Sequence, residues 1–197
     1  MARKAHHNLV DKIFNKEDFK NDLKNFAFIS KCKFINCDLS FASFKESNIF
    51  ESEFENCNFK KTRLINAGFK DVKFVNCNFD NTFFSTSRLV NVSFSKCSME
   101  NSKLRGANFK DSVIENFDII NSDLNRTIFE NCGFKKITFD KCKMFMFMCY
   151  NTNFNTVLFN NSNLTLSKFL SCEKKDTIFS SNNKMLCMYE KSARPQS

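Results

Sequence analysis

The chain has 197 residues, which is enough for one domain with a sizeable core. It contains 27 Phe but only 3 Gly and 1 Pro, which excludes collagen-like and Pro/Gly-rich disordered chains and leaves too few turn residues for a sandwich of tight hairpins. The net charge of +9 is spread along the chain rather than concentrated in a polybasic tail, so it permits only weak attraction to anionic partners.

Residues 1–30 follow a five-residue spacing of apolar side chains only in part. Leu9, Phe14, Phe19 and Ile29 fit the spacing, whereas Lys24 breaks it. The same segment also has the pattern of a short helix, with Asn15 as its N-cap and Leu23 and Phe26 on its apolar side. We therefore predict an N-terminal cap over residues 1–30, partly repeat-like and containing a possible short helix.

Residues 31–172 repeat with a period of five. From residue 34 to 169 every fifth position is apolar without a gap, which gives 28 positions with 16 Phe, 6 Leu, 3 Ile, 2 Met and 1 Cys. Two residues before each of these stands a second slot that favours Cys, Ser, Ala, Thr or Val. A period of five fits neither a helix nor a flat strand, so it predicts a chain that turns a corner every five residues.

Four such corners close a square coil of 20 residues, and this longer period is visible in the sequence. Phe34–Leu39, Phe54–Phe59, Phe74–Phe79 and Phe94–Met99 recur at that spacing. Stacked coils would bury two columns of side chains, and Asn36, Asn56, Asn76 and Asn116 would form an outer ladder at one corner, where Asn tolerates left-handed backbone. The predicted structural core includes Phe34, Leu39, Phe54, Phe59, Phe74, Phe79, Phe94, Cys37, Cys57, Cys77 and Cys97.

This pattern resembles the pentapeptide-repeat family over about 140 residues. The resemblance implies an all-β fold, a right-handed quadrilateral β-helix, and 28 units would make about seven coils. Residues 173–197 lose the pattern at Lys174 and Lys184, so we predict that they either cap the open end of the rod or trail as a disordered tail.

Nine of the ten cysteines stand at positions whose number ends in 2 or 7, which indicates a repeated packing slot rather than a disulfide framework. That many thiols, together with the lack of an apolar stretch behind the charged start, predicts a cytoplasmic protein. No apolar run approaches the roughly 18 residues that a membrane helix needs. The only histidines are His6 and His7, so the sequence offers no nucleophile–base pair, and we predict no enzyme activity. The stacked cysteines would point in parallel instead of converging on the tetrahedron that zinc needs, and no Gly-rich phosphate loop is present, so we predict neither a metal nor a cofactor.

Mapped onto four faces, the charges predict a rod with two electrically different sides. The candidate acidic face carries Asp38, Asp80, Glu100, Asp118 and Asp140 against a single Lys60. The candidate basic face carries Lys45, Arg63, Lys70, Arg88, Lys103, Arg105, Lys110, Lys143 and Lys168 against Asp123 and Glu130. These sides are either a merely solvated surface or a binding surface for a charged partner.

The segment Met144–Tyr150 is the strongest local departure from the pattern. Phe145, Met146, Met148 and Tyr150 fall in outward slots, while Phe147, like Phe117, takes a slot usually held by a small residue. Ile128, Leu166 and Leu170 are expected nearby on adjoining coils. The segment is therefore a candidate apolar interface, including one between two copies of the chain, unless the C-terminal residues fold back over it.

The Asp11–Phe19 stretch leading into the uninterrupted rod resembles the quinolone-resistance branch of the family. That resemblance implies a non-enzymatic protein-binding scaffold that binds or protects a type II DNA topoisomerase by DNA mimicry. This chain is basic where those proteins are acidic, and no C-terminal dimer helix is evident in residues 173–197. Two alternatives remain: a module that binds nucleic acid or another anionic surface through Arg63, Arg88 and Arg105, and a secreted bacterial effector.

Overall fold

The computed structural model describes residues 8–19 and 25–190, and these form strands and turns without a helix. The strands in chain order are β1 (Asn8–Val10), β2 (Ile13–Asn15), β3 (Phe28–Ser30), β4 (Lys33–Ile35), β5 (Asn48–Phe50), β6 (Glu53–Glu55), β7 (Gly68–Lys70), β8 (Lys73–Val75), β9 (Arg88–Val90), β10 (Ser93–Ser95), β11 (Ser98–Glu100), β12 (Asn108–Lys110), β13 (Val113–Ile120), β14 (Ile128–Glu130), β15 (Gly133–Asp140), β16 (Met148–Tyr150), β17 (Asn153–Asn160), β18 (Lys168–Leu170), β19 (Glu173–Ser180) and β20 (Met188–Glu190).

Each strand pairs in parallel with the strand 20 residues along the chain. One ten-stranded sheet runs β1-β3-β5-β7-β9-β12-β14-β16-β18-β20, and a second runs β19-β17-β15-β13-β10-β8-β6-β4-β2, with β11 beside β13. Phe34 lies opposite Phe54, and Phe54 lies opposite Phe74. The period of five therefore produces the predicted quadrilateral β-helix.

We number the four faces of the rod in chain order and define each by its column of large inward residues. The column of the first face begins at Leu9, that of the second at Phe14, that of the third at Phe19 and that of the fourth at Phe44, and each column continues every 20 residues. The first two faces carry the main sheets. The other two are joined mostly by single bridges such as Asp38 to Asn58 and Ser43 to Arg63.

The rod has about nine turns rather than the predicted seven, because the coils continue past both ends of the regular repeat. At about 4.8 Å per rung, nine turns give a length of about 43 Å. At the N-terminal end, β1 and β2 pair with β3 and β4. Asn15, the candidate helix cap, is the last residue of β2. Leu23 and Lys24 lie outside the described residues, whereas Phe26, the second apolar residue of the predicted helix, is a corner with φ 63°.

At the C-terminal end, residues 173–190 also form a coil, whereas residues 191–197 lie outside the described part. Tyr189 stacks on Phe169 with ring centroids 5.2 Å apart. Lys174 occupies a slot that elsewhere holds a ring, and its Nζ lies 4.2 Å from the Tyr189 centroid. The long aliphatic stem of lysine fills the slot while its ammonium group contacts ring faces, so the coil continues where the apolar pattern stops.

Stacked phenylalanine rings fill the axis of the rod. Along the second face, the centroids of Phe34, Phe54, Phe74 and Phe94 are separated in turn by 4.6, 5.2 and 5.0 Å, with interplanar angles of 8°, 17° and 19°. Across the axis, Phe54 meets Phe59 edge to face at 5.3 Å. The structure buries all eleven predicted core residues, because the side-chain alternation of each unit points two of five positions inward.

The small slots are buried beside the rings, and their polar atoms are satisfied by the coil below. Cys57 Sγ donates to the Phe34 carbonyl at 3.4 Å, and Thr62 Oγ1 donates to the Leu39 carbonyl at 2.8 Å. Within the described residues no buried side-chain nitrogen or oxygen lacks a hydrogen-bond partner. All ten cysteines are free thiols. The repeated slot for Cys, Ser or Thr is therefore a packing position that also binds neighbouring coils together.

The unit Phe147–Cys149 exchanges the usual sizes of the two inward slots. Phe147 occupies the small slot and Cys149 the ring slot, and both are fully buried. The Phe147 ring compensates for the missing ring by packing 5.6 Å from Phe129 and 5.9 Å from Phe169. The swap conserves volume within one unit, which explains why the coil is not distorted.

Every corner residue that the structure describes has a positive φ, in the left-handed region that L-residues rarely adopt. The corner recurs every five residues, from Asp11 with φ 52° to Leu186 with φ 55°. Asn is the most frequent corner residue, and two members of the predicted ladder are joined: Asn76 Nδ2 donates to Asn56 Oδ1 at 2.6 Å. The short amide side chain of Asn can form hydrogen bonds with nearby backbone, which lowers the free-energy cost of the left-handed conformation. A bulky apolar side chain cannot form such bonds, so the full cost remains.

We predict that replacing two apolar corner residues with Asn, in the variant Met146→Asn/Leu166→Asn, leaves the midpoint of thermal unfolding unchanged or raised. Both residues have left-handed backbone, with φ 54° and 58°. Relief of strain, about 1 kcal/mol per corner, offsets the loss of partly buried apolar surface. Differential scanning calorimetry measures the midpoint; a fall of more than a few degrees would contradict this account of the corners.

We predict that the stability of the rod declines above pH 9 through its buried thiols. Burial raises the pKa of Cys132 and of Cys142 from the ordinary 9.0 to about 12. In the unfolded chain these thiols ionise from about pH 9, so the stability they contribute is present below pH 9 and is lost as the pH rises towards 12.

Urea unfolding in reductant at pH 8, 9 and 10 measures this effect. The Cys132→Ala/Cys142→Ala variant loses some stability at every pH. Above pH 9, however, its free energy of unfolding falls less steeply with pH than that of the wild type. The two slopes should differ by about 2–3 kcal/mol per pH unit. Parallel curves for the two proteins between pH 9 and 10 would refute the assignment.

Candidate binding surfaces

The described residues contain no group of three or more His, Cys, Asp or Glu that could hold a metal ion. His6 and His7 lie outside that part of the chain. The raised pKa of the buried Cys132, Cys142 and Cys149 thiols keeps them protonated near neutral pH, and a protonated thiol is a poor nucleophile. No helix occurs in residues 8–19 or 25–190, so none there crosses a membrane.

The third face holds the predicted acidic residues, on either side of its inward column. Asp38 Oδ1 accepts from Asn58 Nδ2 at 3.0 Å, and Asp140 Oδ1 accepts from Asn160 Nδ2 at 2.8 Å. Asp80 Oδ1 accepts from the Glu100 backbone N–H at 3.0 Å. Glu100 and Asp118 lie on the adjacent strands β11 and β13. The carboxylates thus share one face, but three of them accept hydrogen bonds from the neighbouring rung.

The predicted basic residues divide between two faces. Lys45, Arg63, Lys103, Arg105 and Lys143 belong to the fourth face, and Lys70, Arg88, Lys110 and Lys168 to the first. On the first face, Lys110 Nζ pairs with Glu130 at 3.0 Å, and this contact raises the pKa of Lys110. On the fourth face, the backbone of Asp123 pairs with Lys103 on one side and Lys143 on the other, so a carboxylate interrupts their column. The longest cationic stretch is therefore the N-terminal half of the fourth face.

An apolar surface covers the corner between the fourth and first faces in the C-terminal half of the rod. We call it the apolar corner; it comprises Ile128, Phe145, Met146, Met148, Tyr150, Leu166, Leu170, Met185, Leu186 and Met188. Phe145, Met146, Met148 and Tyr150 are half-buried rather than fully outward, and the Tyr150 hydroxyl contacts Met148 Sδ at 3.0 Å. Leu186 is 69% exposed and Met185 63%.

Three successive rungs of the apolar corner place a bulky residue at a left-handed position. Met146, Leu166 and Leu186 have φ values of 54°, 58° and 55°. Residues 173–190, the described part of the predicted fold-back segment, continue the rod instead of covering this surface. Because Asn would cost less at each corner, these residues raise the energy of the fold while enlarging exposed apolar surface.

A second surface lies between the third and fourth faces near the N-terminal end, and of its residues the sequence patterns had singled out only Arg63. We call it the cationic cleft: about 530 Å³ lined by Phe41, Ser43, Lys61, Arg63, Asn81 and Phe83. Lys61 Nζ lies 5.2 Å from the Phe41 centroid, and Lys103 Nζ lies 5.4 Å from that of Phe83. An outward Phe at a corner position, as at Phe41, was the signal that could have revealed it.

The family profile described as "Pentapeptide repeat region" matches residues 27–103 and 47–124. No curated protein matches the sequence. Among solved structures, QnrB1, a plasmid-mediated fluoroquinolone resistance protein, is 17% identical, with 87% of this chain and 83% of that chain covered and a TM-score of 0.44. HetL, a pentapeptide repeat protein of the cyanobacterium Nostoc sp. strain PCC 7120 involved in heterocyst differentiation regulation, is 10% identical, with 92% and 90% covered and a TM-score of 0.49.

The family profile overlaps the coils in which the inward ring, the small slot and the left-handed corner recur every five residues. The predicted fold class and the described architecture agree with it. This chain therefore belongs to the pentapeptide-repeat family.

Proposed function

We propose that the protein is a non-enzymatic scaffold that binds a protein partner through the apolar corner. The observation that carries this proposal is the run Met146, Leu166 and Leu186, which places bulky apolar residues at three successive strained corners. Strain that does not serve the fold is commonly found where a surface serves binding. Methionine side chains are flexible and can pack against irregular partner surfaces. The apolar corner contains such side chains at Met146, Met148 and Met188.

The partner that we propose is a type II DNA topoisomerase, bound in a reducing compartment such as the cytoplasm, where ten free thiols persist. Charge does not favour DNA mimicry as the mode of binding. A duplex about 43 Å long carries about 25 phosphate charges, at one per ~1.7 Å. The third face carries Asp18 and the five predicted carboxylates, on a chain whose net charge is +9. Apolar contact is therefore the mode that the surface supports.

A second copy of the chain is the other occupant that the surface fits. Met185, Leu186 and Met188 are exposed on the last described rung, so the apolar corner extends to the end of the described part of the rod. An isologous contact there would cover it in both copies. Sedimentation equilibrium distinguishes this outcome, since a homodimer doubles the mass and the Met146→Asn/Leu166→Asn variant returns it to that of a monomer.

We predict that the protein alters DNA supercoiling by purified gyrase, with and without a quinolone, and that Met146→Asn/Leu166→Asn weakens this effect at least tenfold. The variant removes the apolar surface but introduces residues that favour the corner conformation, so it stays folded. Titration of the protein into a supercoiling assay measures the concentration for half-maximal effect, and surface plasmon resonance measures binding directly.

Thr156→Asn is the matched control, because Thr156 is also a left-handed corner, with φ 57°, but lies between the second and third faces. It should leave the effect on gyrase unchanged. If the wild type neither binds gyrase nor changes supercoiling, the topoisomerase proposal fails; if it also remains a monomer, the apolar corner has neither of the occupants proposed for it.

A further inference from the structure

We propose that the cationic cleft binds single-stranded nucleic acid, with bases stacked on Phe41 and Phe83 and phosphates held by Lys61 and Arg63. This site is separate from the apolar corner and has a different ligand. Among the described residues, its lining combines two aromatic rings and two cations without a carboxylate. Single strands are bound by this combination, because every base has a face that stacks and every nucleotide has a charge.

The stacked coils place aromatic and cationic side chains on neighbouring rungs of two adjacent columns. Ser43, Arg63 and Phe83 are consecutive bridge partners along one edge of the fourth face, and Lys103 follows them. Phe41, Lys61 and Asn81 stand at the neighbouring corner on the same rungs, two residues earlier in each coil. Each ring therefore has a cation on an adjoining rung. Phe41 and Phe83 are two rungs apart, about 10 Å, so the two rings would stack on different bases of one strand.

Phe41 has a conformation that its residue type does not favour. Its φ is 60°, and its side chain is 46% exposed. The same corner column continues with Asn81, Asn101 and Asn121, the residue type that tolerates this backbone. An exposed aromatic ring at a strained corner weakens the fold and is explained by a ligand that uses the ring.

The cations already contact the rings, and this arrangement suits exchange with a ligand. The ammonium groups of Lys61 and Lys103 lie over Phe41 and Phe83 at the distances of cation–π contacts. A phosphate draws each ammonium group towards itself, which leaves the ring face to a base. Asp80 and Asp123 flank the cleft in sequence and on the rungs, but neither belongs to its lining.

The geometry favours a single strand over a duplex or an acidic peptide. The bases of a duplex are stacked on one another, so a duplex would use the cations and leave both rings without a role. An acidic peptide likewise offers carboxylates but needs no exposed ring face. The cleft volume of about 530 Å³ lies in the range of sites for small ligands, so it holds a nucleotide or two of a longer strand.

Fluorescence anisotropy with a labelled 12-residue oligothymidine at low salt tests the proposal. We expect the wild type to bind the strand and Phe83→Ala to weaken binding about five- to a hundredfold, the range for loss of one stacked base. Phe41→Asn should weaken it similarly while favouring the corner fold. Lys61→Gln/Arg63→Gln should weaken binding and reduce the dependence of log affinity on log salt.

Lys135→Gln/Lys136→Gln, which removes two exposed charges on the second face, is the matched control and should leave binding nearly unchanged. The proposal is overturned if the strand does not bind, if the two Phe variants bind like the wild type, or if a 12-base-pair duplex binds equally well. It is also overturned if a polyglutamate peptide displaces the strand at equal charge. Because Met146→Asn/Leu166→Asn leaves the cleft intact, that variant should bind the strand normally, which separates this test from that of the scaffold function.

Discussion

The left-handed corner residue is the constraint on which the rest of the structure depends. It turns the chain after every three extended residues, so four corners return it to a position directly above its start. Side chains that are 20 residues apart in sequence then lie one rung apart, as Phe34, Phe54 and Phe74 do, and their rings can stack. The conformation is costly for most residues, and the stacked core, the ladder of backbone hydrogen bonds and the frequent Asn offset that cost together.

The same constraint separates what the fold needs from what binding needs. Two of every five side chains point inward, and most units hold one large apolar residue and one small residue there, while the outward positions are free to vary without changing the backbone. The apolar corner and the cationic cleft are built entirely on outward or corner positions. Four corners of these surfaces hold a bulky apolar residue where Asn would fit the left-handed backbone better: Phe41, Met146, Leu166 and Leu186. We attribute these residues to binding and not to folding.

Most of the fold could be predicted because a five-residue period has one simple geometric solution. The rings, the buried cysteines and the Asn36–Asn56–Asn76 ladder follow from slot positions alone. The two extra coils could not be predicted, since Lys174 reads as a break although its stem fills a ring slot and its ammonium group contacts Tyr189. The cleft could not be predicted, because Phe41 and Phe83 become neighbours of Lys61 and Arg63 only when coils are stacked.

A crystal structure that resolves side chains is the most direct measurement of the central claim. This account predicts Phe34, Phe54, Phe74 and Phe94 in one column, with ring centroids about 5 Å apart. It also predicts positive φ at every fifth residue from Lys31 to Leu186. Rings that face solvent, or corners with φ in the right-handed or extended regions, would contradict it.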